Sequence, residues 1–117
     1  MVVFNDMNKN AYGIIKKNLA KLKEDREVFN LPYEKCLENL KDREFDYIYC
    51  DPPYAFGKYE ELFGYVRQYG ILAQKGIMVI ETRKDVDLAN SYEDMESYKE
   101  KRYGIVKLLY YRKRENI

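Results

Sequence analysis

A chain of 117 residues is too short for several domains, which run at roughly 100–200 residues each. Its 46% hydrophobic and 15% aromatic content can fill a core, and 21 basic against 20 acidic residues exclude the disordered class, which couples low hydrophobicity to large net charge. The charge is unevenly spread: residues 98 to 117 hold seven Lys or Arg against two Glu, whereas residues 1 to 97 hold fourteen against eighteen acids. A basic end on a mildly acidic body points to a polyanionic partner.

No run reaches the ~18 apolar residues of a membrane span, and Met1 to Asp6 has neither the basic start nor the apolar stretch of a signal peptide. The expectation is a cytoplasmic protein with no membrane partner. Cys36 and Cys50 are the only cysteines and there is no histidine, so a disulfide framework and a zinc site are excluded and no metal is expected. Without histidine, Ser-His-Asp and Cys-His catalysis are excluded too.

In chain order, Met1 to Phe4 is an apolar run ending at Asn5-Asp6, which reads as a buried strand whose carboxyl end meets solvent. Asn8 can cap a helix, and Ala11, Ile14, Ile15, Leu19 and Leu22 follow at helical spacing to about residue 23. Glu27 to Leu31 reads as a strand stopped by Pro32. Tyr33 to Leu40 suits a short helix, and Phe45 to Cys50 is a β-rich run ended by Asp51-Pro52-Pro53.

Tyr59, Leu62, Phe63, Val66 and Tyr69 recur every three or four positions, predicting a helix over 58–73 with Gly76 as its breaker. Ile77 to Ile80 has the character of a strand covered on both faces. The polar stretch from Arg83 to Asp94 reads as a connection. Ser97 to Arg102 and Ile105 to Tyr111, separated by Tyr103-Gly104, predict an antiparallel pair. Strands and helices alternate up to that pair, so the expected fold is one domain built on an open α/β sheet, mostly parallel, with right-handed crossovers.

Ligands of such sheets sit beyond the carboxyl ends of the strands. Asp6 lies past the first of these ends, where an acid can hold the two hydroxyls of a ribose; a solvated acid near a helix start is the bland alternative. The stronger signal is Asp51-Pro52-Pro53-Tyr54, directly after a core strand. Two prolines fix φ and remove two donors, leaving a stiff backbone whose carbonyls are exposed between an acid and an aromatic ring. Carboxylate and carbonyl can accept from the NH₂ of a planar ring while Tyr54 stacks on its face. A proline-rich turn that merely ends a strand is the alternative.

Asp51-Pro52-Pro53-Tyr54 resembles the (D/N)PP(Y/F) motif of S-adenosylmethionine-dependent amino-group methyltransferases. Phe45 to Tyr54, Gly76 to Glu81 and Tyr98 to Gly104 resemble the RsmD-type 16S ribosomal RNA guanine-N2 methyltransferases, and the likeness runs through nearly the whole chain. It implies a Rossmann-like, mostly parallel sheet closed by an antiparallel hairpin, with S-adenosylmethionine as cofactor and 16S rRNA or the small ribosomal subunit as partner. By matching position, Asp51, Pro52, Pro53 and Tyr54 would be catalytic, and Asp6, Asn30 and Asp51 would hold the cofactor. Two departures stand out. All six glycines are isolated, so the family's opening strand and Gly-rich turn have no counterpart here, and Asn30-Leu31-Pro32 stands where the family places an acid against the adenine. The expectation is therefore the carboxyl-terminal part of a methyltransferase domain lacking its first strand, with weak cofactor binding and exposed strand edges open to self-association. The rival readings are a relative of the DNA adenine-N6 methyltransferases and an inactive RNA-binding remnant.

Lys99, Lys101, Arg102, Arg112, Lys113 and Arg114 are candidate phosphate contacts, with solvated strand ends as the alternative. Cys50 reads as a small core hydrophobe beside the loop, and the Tyr59, Phe63, Val66 stripe as core.

Overall fold

A computed structural model describes residues 3–5, 27–52 and 56–114. They fall into two units divided after Lys41, and each is taken by itself.

In the first unit, β1 (Val3–Asn5) pairs in parallel with β2 (Glu27–Phe29), Asn5 opposite Phe29. The strand expected over Glu27 to Leu31 thus stops two residues early. Pro32 opens the next element rather than closing β2: it is the N-cap of α1 (Tyr33–Asn39), and its carbonyl accepts from the amides of Lys35 and Cys36. A residue without an N–H loses nothing there, since the first amides of a helix have no intrahelical partner. Cys36 and Leu40, one turn apart, are buried, and burial pushes the Cys36 thiol up to about 11. The helix expected from Asn8 to residue 23 lies outside the described residues.

The second unit is a five-stranded sheet in the order β3-β4-β7-β6-β5, made of β3 (Phe45–Cys50), β4 (Leu72–Arg83), β5 (Ser91–Tyr92), β6 (Met95–Tyr103) and β7 (Val106–Lys113). Helix α2 (Tyr59–Gln68) connects β3 to β4, which run parallel. The remaining neighbours, β4 with β7, β7 with β6 and β6 with β5, are antiparallel. The α/β class and the closing hairpin are as the sequence led one to expect. Among the described residues β3 is a terminal strand of its sheet.

Helix α2 ends at Gln68, short of the predicted residue 73. Gly70, at φ +63°, takes the left-handed position after the C-cap, where a Cβ would be strained. The amide of Ile71 then donates to the Val66 carbonyl and that of Gly70 to the Arg67 carbonyl, the Schellman closure. Gly76 is no breaker. It is a buried residue inside β4, and it lies where β3 advances by two residues, Phe45 to Tyr47, while β4 advances by five, Leu72 to Ile77. A glycine in a strand often marks such an irregularity or a close approach, and a Cβ here would stand 2.6 Å from Leu72 Cδ1 and 3.0 Å from the Ala73 carbonyl oxygen.

The two faces of this sheet differ. Helix α2 lays Tyr59, Leu62, Phe63 and Val66 on the face that carries Met78, Ile80, Thr82, Leu109 and Tyr111, and the Phe63 ring stacks on Tyr92 at 4.7 Å and meets Tyr111 edge-on at 4.8 Å. Met78, Val79 and Ile80 are 0% exposed, as a strand covered on both sides requires. The stretch expected to be plain connection contains β5, whose Tyr92 joins the Phe63 cluster. The Tyr111 hydroxyl donates to the Ala89 carbonyl, and the Ala89 amide donates to the Tyr92 hydroxyl. The hairpin turn falls at Gly104-Ile105, one residue later than predicted, with Gly104 at φ +56°. Among the described residues no helix is long and apolar enough to cross a membrane.

Gly76→Ala is expected to destabilise the chain by roughly 1–3 kcal/mol, the usual cost of forcing a group into packed surroundings. Urea unfolding followed by circular dichroism measures it, and an unchanged midpoint would mean that the bulge yields freely.

Candidate active site

Parallel strands deliver their carboxyl ends to one rim, and the β3–β4 register sets Cys50 opposite Ile80. One step further along each strand come two carboxylates, Asp51 and Glu81. Asp51 is exposed and Pro52 half-buried, so this part of the corner is not sealed beneath packed side chains and is accessible to a ligand. Pro53 and Tyr54 lie outside the described residues, as does Asp6. Asn30 directly follows β2 and is half-buried. Because Asn5 pairs with Phe29, β1 and β2 also end side by side, and Asp6 and Asn30 are the next residues in sequence after those two ends.

Several neighbours of Asp51 escaped the sequence reading. The Tyr49 hydroxyl donates to Glu81 Oε1 at 2.5 Å. The Tyr59 hydroxyl, from the first turn of α2, donates to Thr82 Oγ1 at 3.5 Å, and the Phe56 ring meets Tyr59 edge-on at 5.1 Å. Side chains from β3, β4 and the start of α2 thus flank the strand ends, the Tyr49–Glu81 pair on one face of the sheet and the Tyr59–Thr82 pair on the other. The rule that singled out Asp51, a polar residue at the end of an apolar strand, applies equally to Glu81 after Ile77 to Ile80 and would have found it.

These groups sense one another's charge. Desolvation, then the hydrogen bond to Glu81, then the charges of Glu81 and Asp51 hold the Tyr49 phenol well above its ordinary range. Burial likewise raises Tyr59, against the lowering effect of its bond to Thr82, with a smaller contribution from Asp51. Tyr49 therefore stays a neutral donor to Glu81 at any physiological pH. The rim offers acceptor oxygens and aromatic surface, which suits a ligand that brings N–H groups.

A depression of about 660 Å³ on the outer side of α2 is a separate feature. Lys58, Glu60, Glu61 and Glu93 line it, and neither Asp51 nor Glu81 does.

The sequence profile of the family described as conserved hypothetical protein 95, the RsmD family, matches residues 1–112. The chain belongs to that family. Among its RsmD relatives, Ribosomal RNA small subunit methyltransferase D of Haemophilus influenzae is 30% identical over 109 residues, covering 90% of this chain and 56% of that protein. YlbH of Bacillus subtilis, provisionally named an rRNA methyltransferase, is 28% identical over 116 residues, covering 96% of this chain and 63% of that protein. The chain thus spans less than two thirds of the length of these relatives. A solved structure of a conserved hypothetical protein from Streptococcus pyogenes superposes with a TM-score of 0.85 at 29% identity, over 93% of this chain and 69% of that one. Over the covered part, this chain and that protein share one fold.

Glu81→Gln removes the negative charge beside Tyr49 while leaving an amide oxygen able to accept from it, so the phenol is expected to titrate at lower pH. Because a raised folded-state pKa favours the protonated folded form, the parent loses this stabilisation as pH climbs above the ordinary tyrosine value, and the variant loses less. Spectrophotometric titration of tyrosinate in the two folded proteins checks this; superimposable curves would place Tyr49 outside the influence of Glu81.

Proposed function

We propose that this chain belongs to an S-adenosylmethionine-dependent enzyme that methylates the exocyclic N2 amine of a guanine in 16S ribosomal RNA, supplying the part that grips the base. The observation that carries this reading is the accessible Asp51-Pro52 corner at the carboxyl end of β3, with Glu81 beside it on β4. Membership of the RsmD family and the name of the Haemophilus influenzae relative support RNA of the small subunit as substrate.

The exocyclic amine of guanine is a poor nucleophile because its lone pair is delocalised into the ring. The Asp51 carboxylate and the Pro52 carbonyl accept hydrogen bonds from the NH₂, drawing nitrogen towards tetrahedral geometry and freeing the lone pair. Pro52 and Pro53 hold the acceptors stiff, so acceleration comes from positioning and electrostatics with no covalent protein intermediate. The base leaves its stack at a cost of about a few kcal/mol, which stacking on Tyr54, worth ~1–3 kcal/mol, offsets.

S-adenosylmethionine supplies an electrophilic methyl group. The donor set at the ends of β1 and β2 fits such a molecule: Asp6 is an acceptor for ribose hydroxyls, and the half-buried Asn30 carboxamide is both donor and acceptor for a purine edge. Asp51, the residue that follows β3, is the third side chain assigned to the cofactor. The chain acts in this reading as the carboxyl-terminal part of the methyltransferase domain.

Transfer of labelled methyl from S-adenosylmethionine to unmodified small-subunit RNA, by the protein carrying this sequence, tests the proposal. Asp51→Ala is expected to lower the rate roughly 10²–10³-fold, the usual effect of removing one preorganised electrostatic group, with its circular dichroism spectrum unchanged. Equal transfer by a folded Asp51→Ala variant would refute the assignment. Label appearing in DNA adenine instead would favour the N6-methyltransferase reading.

A further inference from the structure

The face of the five-stranded sheet opposite α2 carries a patch of basic and aromatic side chains. On β7 the side chains alternate, Leu109 and Tyr111 towards α2, and Tyr110 and Arg112 away from it. On β6 the register sets Lys99 opposite Tyr110 and Lys101 opposite Leu108, with Tyr98 in a bulge between Ser97 and Lys99. These residues touch across the strands: Arg112 Cζ lies 4.5 Å from the centre of the Tyr98 ring, Lys99 Nζ and Lys101 Nζ lie 5.2 and 5.9 Å from that of Tyr110, and the two rings meet edge-on at 6.3 Å.

The structure thereby sorts the basic residues of the carboxyl-terminal segment. Arg102 is tied to Glu100 at 2.9 Å, Lys113 donates to the Leu72 carbonyl at 2.8 Å, Arg114 donates to the Glu93 carbonyl at 3.3 Å, and Lys107 is buried. Lys99, Lys101 and Arg112 make no ion pair among the described residues, and rings hold their heads in place. Two acids share this face, Glu96 opposite Arg112 and Glu81 on β4 opposite Leu108, the latter accepting from the Tyr49 hydroxyl. Tyr103, 59% exposed, continues the face towards the hairpin turn.

The patch leads to the candidate active site. Cys50, Ile80, Leu109 and Glu100 form one row across β3, β4, β7 and β6. Lys101 and Asp51 each stand one residue beyond that row on the rim side, three strand spacings apart, or roughly 14 Å at about 4.8 Å per spacing.

We infer that the open face of the β6–β7 hairpin is a binding surface for single-stranded RNA, with Lys99, Lys101 and Arg112 on phosphates and Tyr103 stacking a base, leading the strand to Asp51. Interleaved cations and aromatic rings on one surface are what a flexible polyanion with unpaired bases requires. The inference rests on the reading that the chain acts on RNA, but binding is measured without methyl transfer, so the two can fail separately.

The test is fluorescence anisotropy of a labelled single-stranded RNA oligonucleotide against salt. Replacing Lys99, Lys101 and Arg112 together by Gln should weaken binding at least tenfold and flatten the slope of log K against log salt by about 2, at roughly 0.7 per phosphate contact. Tyr103→Leu should weaken binding roughly tenfold at unchanged slope. The charge-matched variant Arg67→Gln, Lys75→Gln, Arg114→Gln should keep both slope and affinity. In the parent chain, bound RNA should shield Lys99 and Lys101 from acetylation read by mass spectrometry, a measurement that needs no variant to fold. Equal slope losses in the two triple variants, or unshielded lysines beneath bound RNA, overturn the inference while leaving the methyltransferase reading intact. A parent that binds no RNA removes both. An acidic peptide held as tightly, with the same dependence on the three cations, makes a protein the occupant and also overturns it.

Discussion

The parallel pairing of β3 with β4 is the constraint on which the candidate site depends. A parallel pair cannot be closed by a tight turn, so the chain must leave β3, cross one face of the sheet as a helix and return to start β4 at the far end. The Phe63 ring, held between Tyr92 and Tyr111, fixes that crossover to the sheet. Once it is fixed, both strands end at one rim, and Asp51 and Glu81 come together although thirty residues separate them in sequence. The charge coupling between Asp51, Tyr49 and Glu81 is a product of topology rather than of any local motif.

How much of this was legible depends on whether the signal was local. Phe45 to Cys50 is marked by its β-favouring residues and by the prolines that follow, and its bounds agree with β3. The stripe from Tyr59 to Val66 announced a helix because four of its residues share the face that meets the sheet. The end of that helix was misjudged because Ile71 and Leu72 extend the helical period numerically although they belong to the turn and to the next strand. Gly70, the residue with the left-handed backbone, was the true stop, and Gly76 was made necessary by the neighbouring Leu72 side chain, which composition cannot announce. Strand β5 was invisible because two residues carry no period. Asp51 was found through a motif, whereas Glu81 has none and is marked only by its polar position after the apolar run Ile77 to Ile80.

The division of the sheet into two faces was also beyond a reading of charge. Counting basic residues near the chain end predicts a polyanion partner but cannot say which cations point together. The alternation of β6 and β7 decides that, and the bulge at Tyr98 brings Lys99 to the open side beside Tyr98, where a regular strand continuing from Ser97 would have turned Lys99 towards α2. A single irregular residue thus sets the composition of a whole surface, an effect of the two-residue side-chain period.

The antiparallel course of β7 has a practical corollary. Since Val106 pairs with Arg83 near the rim and Arg112 with Ile77, the strand carries the backbone away from Asp51, and Lys113 stands roughly 25 Å from the hairpin turn at about 3.4 Å per residue. An affinity handle placed beyond β7 would therefore anchor the molecule by the opposite end of the sheet, leaving the acidic corner directed towards bulk solution and free to meet a large particle in a surface-capture measurement.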